Sequence, residues 1–250
     1  MKPIFSPQNK KVIFFDLNNT LVDRTQTMHY AFLNTLKEYT GRWSAEDNEW
    51  DPEAIWQRYY STCSKKTTSK KHASSSSNPV CLRHALAPLP FQFNDAVIKA
   101  FLYEFKNNQQ EHAVLFPHTK NTLEALAHSY QLALISNGSR ERITAKIQRL
   151  GLERLIPEAH IFHSENGYRK PHPQLFENAL KKMEIKSKQA LMVGDNWKTD
   201  ILGSTSSGID AIWISPNHNK KMTIRKLGNQ RVVIIRKFSY MLPLFSVTST

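Results

Sequence analysis

Cysteine is nearly absent from this chain: 250 residues hold two, Cys63 and Cys81, and neither stands in a metal-ligand spacing. That argues against a disulfide-framed secreted domain and against a thiolate metal site, and the default reading is a reduced, cytoplasmic protein. There is no run of 18 apolar residues, so no membrane-spanning helix is expected. The N-terminus lacks a charged-then-apolar signal pattern, because Pro3, Ser6 and Gln8 interrupt it. Acidic residues are also scarce, 21 Asp and Glu against 34 Lys and Arg, which leaves a net charge of +13. The basic residues are spread, with local clusters at Lys65 to Lys71 and Lys220 to Lys237, and no nucleic-acid motif accompanies them. The excess reads either as a field that steers small phosphorylated metabolites or as a solvated surface, and nucleic-acid binding is not expected.

Forty per cent of the residues are hydrophobic, enough for a core, and the length suits one large domain or a core with a smaller insertion. The stretch that organises the rest is residues 11 to 21. Val12 to Phe15 is a bounded apolar run, read as a buried strand, and it stops at Asp16. Asn18, Asn19 and Thr20 follow, all of them loop formers. A carboxylate is thereby aimed out of a strand tip, where open α/β sheets bind ligands.

After Asp23 the spacing turns helical. Met28, Phe32, Leu36 and Tyr39 predict a helix with Thr25 or Thr27 as cap and Gly41 as terminator. A second helix is expected over residues 50 to 60. Trp43, Trp50 and Trp56 there are read as bulky core filler or as an aromatic wall for a ring to stack on. Residues 61 to 79 are polar, with four serines at 74 to 77, and predict a flexible loop. Val97, Ile98, Phe101, Leu102 and Phe105 predict a further helix capped by Asn94. Residues 23–112 thus read as a helical insertion.

From residue 113 strands alternate with helices. Strands are expected at Gln131 to Ile135, around Ile161 and Phe162, at Ala190 to Val193, Ile209 to Ile214 and Val232 to Ile235. Helices are expected from Pro117, across Ile143 to Leu150, from Pro173 to Met183 and from Asp200 to Ser207. The fold class is α/β, a Rossmann-like, doubly wound parallel sheet formed by residues 1–22 and 113–250, with the helices of 23–112 inserted as a cap.

The opening Asp16-x-Asn18-x-Thr20 resembles the Asp-x-Asp-x-Thr/Val signature of the haloacid dehalogenase superfamily, mostly phosphatases. Three later strand tips are similar to its remaining motifs, in the same chain order. Ser136 ends a strand in Ser136-Asn137-Gly138, Lys170 lies in Arg169-Lys170-Pro171, and Gly194-Asp195 is followed by Asp200 five positions on. The resemblance implies Asp16 as nucleophile, forming an aspartyl-phosphate. It implies Mg²⁺ held by Asp16, Asp195 and the backbone carbonyl of Asn18, with Asp200 in support. Lys170 would neutralise charge on Asp16 and the transferring group. Ser136, Asn137, Gly138 and the closing hydroxyl of Thr20 would bind the phosphoryl oxygens.

At position 18 this chain departs from the phosphatases, which carry a second Asp that protonates the leaving oxygen and then activates water. An amide cannot cycle a proton, and positioned acid–base catalysis contributes ~10²–10⁴-fold. Four explanations stay open: a slow enzyme, another group in the acid's place, a phosphate-binding regulatory relative without turnover, or a laboratory substitution. Haloacid dehalogenases also place a non-acid there, but their fourth motif lacks the Gly-Asp plus later Asp. The expected function is Mg²⁺-dependent hydrolysis of a small phosphomonoester of the nucleotide or sugar-phosphate type, by a monomer or homodimer.

Overall fold

The structure is a computed structural model, and it describes residues 3–40, 50–67, 78–89 and 93–245. The expectations for Gly41, Trp43 and the serines at 74 to 77 lie outside those residues. In chain order the elements are β1 (Val12–Phe15), then helices α1 (Arg24–Thr40), α2 (Pro52–Thr67), α3 (Pro79–Leu86) and α4 (Asp95–Glu111). After them come α5 (Thr119–Ala127), β2 (Gln131–Ser136), α6 (Arg140–Arg149), β3 (Ile161–His163), α7 (Pro173–Lys182) and β4 (Ala190–Gly194). A π-helical turn over Trp197–Leu202 runs into α8 (Gly203–Ser206), followed by β5 (Asp210–Ile214), β6 (Met222–Leu227) and β7 (Gln230–Ile235). The chain divides into two compact units, Met1–Asp23 with Val114–Thr250, and Arg24–Ala113.

The first unit is built on a seven-stranded sheet in the order β3-β2-β1-β4-β5-β7-β6. β1 is central and all four of its residues are buried, which is why it reads as an unbroken apolar run rather than an alternation. It pairs in parallel with β2 on one side, Phe15 opposite Leu134, and with β4 on the other, Phe15 opposite Val193. The chain first adds strands beyond β2 and later beyond β4, so strand order reverses beside β1. At that reversal the loops leaving neighbouring strands diverge and open a crevice at their carboxyl ends. One face of the sheet packs Phe14, Ala133, Ile135 and Met192 against Leu175, Phe176 and Ala179 of α7.

β6 was not anticipated: it pairs with β7 antiparallel at the edge of the otherwise parallel sheet. Its sequence, MTIRKL, is mostly exposed and has a single neighbour, so no apolar run marks it. Ile209 lies just ahead of β5 rather than in it, and Gln230 and Arg231 extend β7 at its start. The helix expected from Asp200 instead begins as the π-turn at Trp197.

The second unit packs α1 to α4 around Phe32, whose ring stacks on Tyr59 at 4.9 Å and meets Phe105 edge-on at 5.6 Å. Trp56, 3% exposed, is filler in that cluster. Asn94 caps α4 as expected, its Oδ1 accepting from the Val97 N–H at 2.9 Å. Thr25 and Thr27 do not cap α1, which begins at Arg24 and contains both. The loop expected over 61 to 79 is also corrected, because α2 runs to Thr67. Its hydroxyls turn inward on their own helix: Thr62 Oγ1 donates to Arg58 O at 2.7 Å and Ser64 Oγ to Tyr60 O at 2.8 Å. α3 then starts at Pro79 behind Asn78, whose side chain accepts from the Val80 N–H.

Candidate active site

Four tips at the carboxyl edge of the sheet converge on a cavity of about 320 Å³. Asp16 and Asn18 line it from the β1 loop, Ser136 to Gly138 from the β2 loop, Asp195 and Asp200 from the β4 loop and π-turn, and Lys170 from the segment before α7. Asn196 and Thr199, which the sequence did not single out, complete the lining. Thr20 is placed elsewhere. It is fully buried, off the cavity wall, and its hydroxyl has no hydrogen-bond partner among the described residues. Thr20 thus stands apart from the lining residues, as the chain turns inward after Asn19, whose φ is 61°.

Lys170 is the electrostatic hub. Its Nζ donates to Asp16 Oδ1 at 2.6 Å and lies 2.7 Å from Asp200 Oδ1, with the lysine 3% exposed. Burial pulls the ammonium's pKa down, but the charges of Asp16 and Asp200 outweigh it and hold it above the ordinary lysine value. Asn137 fixes where this lysine starts. Its Oδ1 accepts from the Lys170 N–H at 2.7 Å and its Nδ2 donates to the Lys170 carbonyl at 3.0 Å. The side chain of Asn137 thus serves Lys170, a role its loop position did not suggest. The Lys170–Pro171 peptide is cis.

Asp200 is anchored twice more, accepting from the Asn196 N–H at 3.0 Å and from Thr199 Oγ1 at 3.2 Å. Asn196 Oδ1 in turn caps the π-turn, accepting from the Lys198 and Thr199 N–H groups. Gly194 is required by proximity. A Cβ there would stand 2.4 Å from Asp200 Oδ2. Trp213 of β5 holds the neighbouring loop, its Nε1 donating to the Asp195 carbonyl at 2.9 Å.

One carboxylate oxygen from each of Asp16, Asp195 and Asp200 lies within 4.8 Å of the others. Three acids here face the single ammonium of Lys170, and the imbalance shows in their protonation. Burial, then the charges of Asp16 and Asp200, push the Asp195 carboxyl up to about 7. Burial and Asp200 likewise raise Asp16, against the pull of Lys170. An all-oxygen, over-acidic donor set of this kind fits a hard divalent cation.

A further residue escaped the sequence reading. Lys146 of α6 is 8% exposed, and its Nζ lies 3.3 Å from Asn18 Oδ1. The available signal was a lysine on the stripe otherwise made by Ile143 and Ile147.

Residues 13–214 match the family model described as haloacid dehalogenase-like hydrolase. The chain belongs to that family. Within it the chain is phosphatase-like. It is 28% identical over 204 residues to the glyceraldehyde 3-phosphate phosphatase of Pyrococcus furiosus, covering 81% of this chain and 80% of that one. It is 26% identical over 231 residues to the phosphoglycolate phosphatase of Colwellia psychrerythraea, covering 89% and 92%. It is 23% identical over 227 residues to the mouse N-acylneuraminate-9-phosphatase, covering 85% and 86%. The HAD-hydrolase YfnB of Bacillus subtilis, whose crystal structure is bound to magnesium, shares the fold with a TM-score of 0.65 at 18% identity, over 93% of this chain and 97% of that one. Among the described residues no helix is long and apolar enough to cross a membrane.

Proposed function

We propose that this protein hydrolyses a small phosphomonoester of the sugar-phosphate kind, and that Asp16 takes the phosphoryl group. The observation that carries the reading is the buried Asp16–Lys170–Asp200 contact, 2.6 and 2.7 Å, set at the reversal point of the sheet with Asp195 beside it. Relatives named for small sugar-derived and glycolate phosphates support the substrate class. The scarcity of cysteine supports a cytoplasmic setting, with neither Cys63 nor Cys81 in a disulfide.

Asp16 would attack phosphorus in line, forming an Oδ–P bond as the ester P–O bond breaks and the organic oxygen departs. Water then attacks the same phosphorus, breaking the Oδ–P bond and releasing orthophosphate. Lys170 pulls Asp16 toward its ionised form and aims it, and Ser136 with the backbone of Asn137 and Gly138 receives the equatorial oxygens just ahead of α6. Asp16, Asp195 and the Asn18 carbonyl would hold Mg²⁺, with Asp200 in support. Such an ion supplies charge neutralisation between carboxylate and phosphoryl oxygens. Asn18 carries no transferable proton, so the departing oxygen draws its proton from water, and good leaving groups are favoured.

The test is hydrolysis of an aryl phosphate with Mg²⁺ and with EDTA. Turnover lost in EDTA supports the reading, and turnover indifferent to it sinks the metal's part. Asn18 also favours a second reading, a phosphate-binding relative without turnover. Asn18→Asp separates the two: a gain of about 10²–10⁴-fold on alkyl phosphates marks a complete site lacking only its proton carrier. Phosphate binding with no turnover in either form marks a binding protein.

A further inference from the structure

Position 18 is occupied by an amide whose two ends differ, and Lys146 decides which end faces the cavity. An ammonium has donors only, so the atom it meets at 3.3 Å must be the carbonyl oxygen, Oδ1. The amide is planar, and Asn18 also lines the cavity. With Oδ1 turned to Lys146, Nδ2 is the other end of the amide, and it has no hydrogen-bond partner among the described residues. Lys146 is itself buried, on the same stripe of α6 as Ile143 and Ile147.

On the phosphatase reading of the site, we propose that Lys146 is a positioning residue that orients Asn18 so that Nδ2 is a fixed hydrogen-bond donor to an oxygen of the phosphoryl group or of released orthophosphate. Position 18 is then an oxyanion contact rather than a proton carrier. A carboxylate at the same place would present an acceptor to an anion, whereas the oriented amide presents two N–H bonds. The chemistry selected is a tetrahedral oxyanion, and the contact strengthens the hold on phosphate.

Inorganic phosphate is the probe, its Kd measured by titration calorimetry with saturating Mg²⁺ on wild type, Lys146→Met, Lys146→Arg, Asn18→Ala and the Lys146→Met/Asn18→Ala double variant. Loss of one oriented hydrogen bond to an anion is about tenfold in Kd. Lys146→Met and Asn18→Ala are each expected to weaken phosphate about tenfold, and the double variant no more than either alone. Lys146→Arg, which keeps donors facing Oδ1, is expected to stay within about threefold of wild type. Thermal midpoints of all five report folding separately. If Lys146→Met weakens phosphate equally whether residue 18 is Asn or Ala, the lysine acts by its own charge and the proposal is overturned. It is equally overturned if Lys146→Met binds like wild type. A wild-type protein that binds no phosphate would instead overturn the phosphatase reading itself, and is told apart by the first titration.

Discussion

Removing one carboxylate charge should make the metal-free protein more stable, and the residue to change is Asp195. Its carboxyl keeps a proton up to a pH of about 7, against an ordinary value near 3.8, because it is partly buried beside Asp16 and Asp200. Between those limits the folded chain binds a proton that the unfolded chain has released, so stability falls as pH rises through the window. At about 1.36 kcal/mol per pH unit, the whole window is worth at most about 4 kcal/mol. Allowing for the part of Asp195 that reaches solvent, about 2–4 kcal/mol should be recovered by Asp195→Asn at pH 8 in EDTA. That corresponds to a rise in midpoint of roughly 4–16 °C for a chain of this size. Near pH 4 the variant and wild type should converge, since both are then neutral at this position. Excess Mg²⁺ should close the gap at pH 8 by stabilising wild type, with about 2.7 kcal/mol gained at one hundred times Kd. The assay is urea unfolding across pH 4 to 8, with EDTA and with Mg²⁺, read as the difference between the two proteins so that other titrations cancel. A difference that is flat with pH, or an Asp195→Asn protein less stable than wild type at pH 8 in EDTA, would refute the account of the acid cluster.

Three other changes bear on the same geometry. Gly194→Ala puts a methyl 2.4 Å from Asp200 Oδ2 and 2.5 Å from its Cβ, so it should cost about 2–3 kcal/mol in urea unfolding. A loss within about 0.5 kcal/mol would mean the loop yields freely. Asn137→Ala deletes both bonds to the Lys170 backbone and should lower kcat/KM for an aryl phosphate about 10–100-fold, whereas wild-type kinetics would show that Lys170 is held without it. Thr20→Val exchanges a buried, unpartnered hydroxyl for a methyl and should be neutral or stabilising by up to about 1 kcal/mol, a result that chemical denaturation would contradict by showing a loss.

The parts of this protein legible in its sequence are those where a residue's environment is dictated by neighbours along the chain. The buried interior of the sheet shows as Val12 to Phe15, and Asp16 and Asp195 each sit directly after such a run, with Lys170 just before a proline-led helix. Features set by a distant partner were not legible. β6 exists because β7 offers it an edge, and its own alternation of Arg225, Lys226 and an exposed Ile224 resembles a surface loop. α3 is a helix of eight residues whose start rests on one asparagine cap behind a polar stretch. Thr20 matched a signature by type, yet its side chain turns into the core. Lys146 carries no motif at all, and its meaning depends on Asn18, 128 positions away in the chain.

The central strand carries a cost during synthesis. One of Val12's two flanking partners, Ala190, is made 178 residues after it. At translation speeds of about 5–20 residues per second, roughly 10–35 s elapse before that side of β1 can be covered. Through that interval Val-Ile-Phe-Phe is an unshielded sticky segment on a nascent chain. Chaperone capture near the ribosome, and inclusion bodies when expression outruns it, are the behaviour to anticipate from a hydrolase in which the strand leading to Asp16 waits 178 residues for its second neighbour.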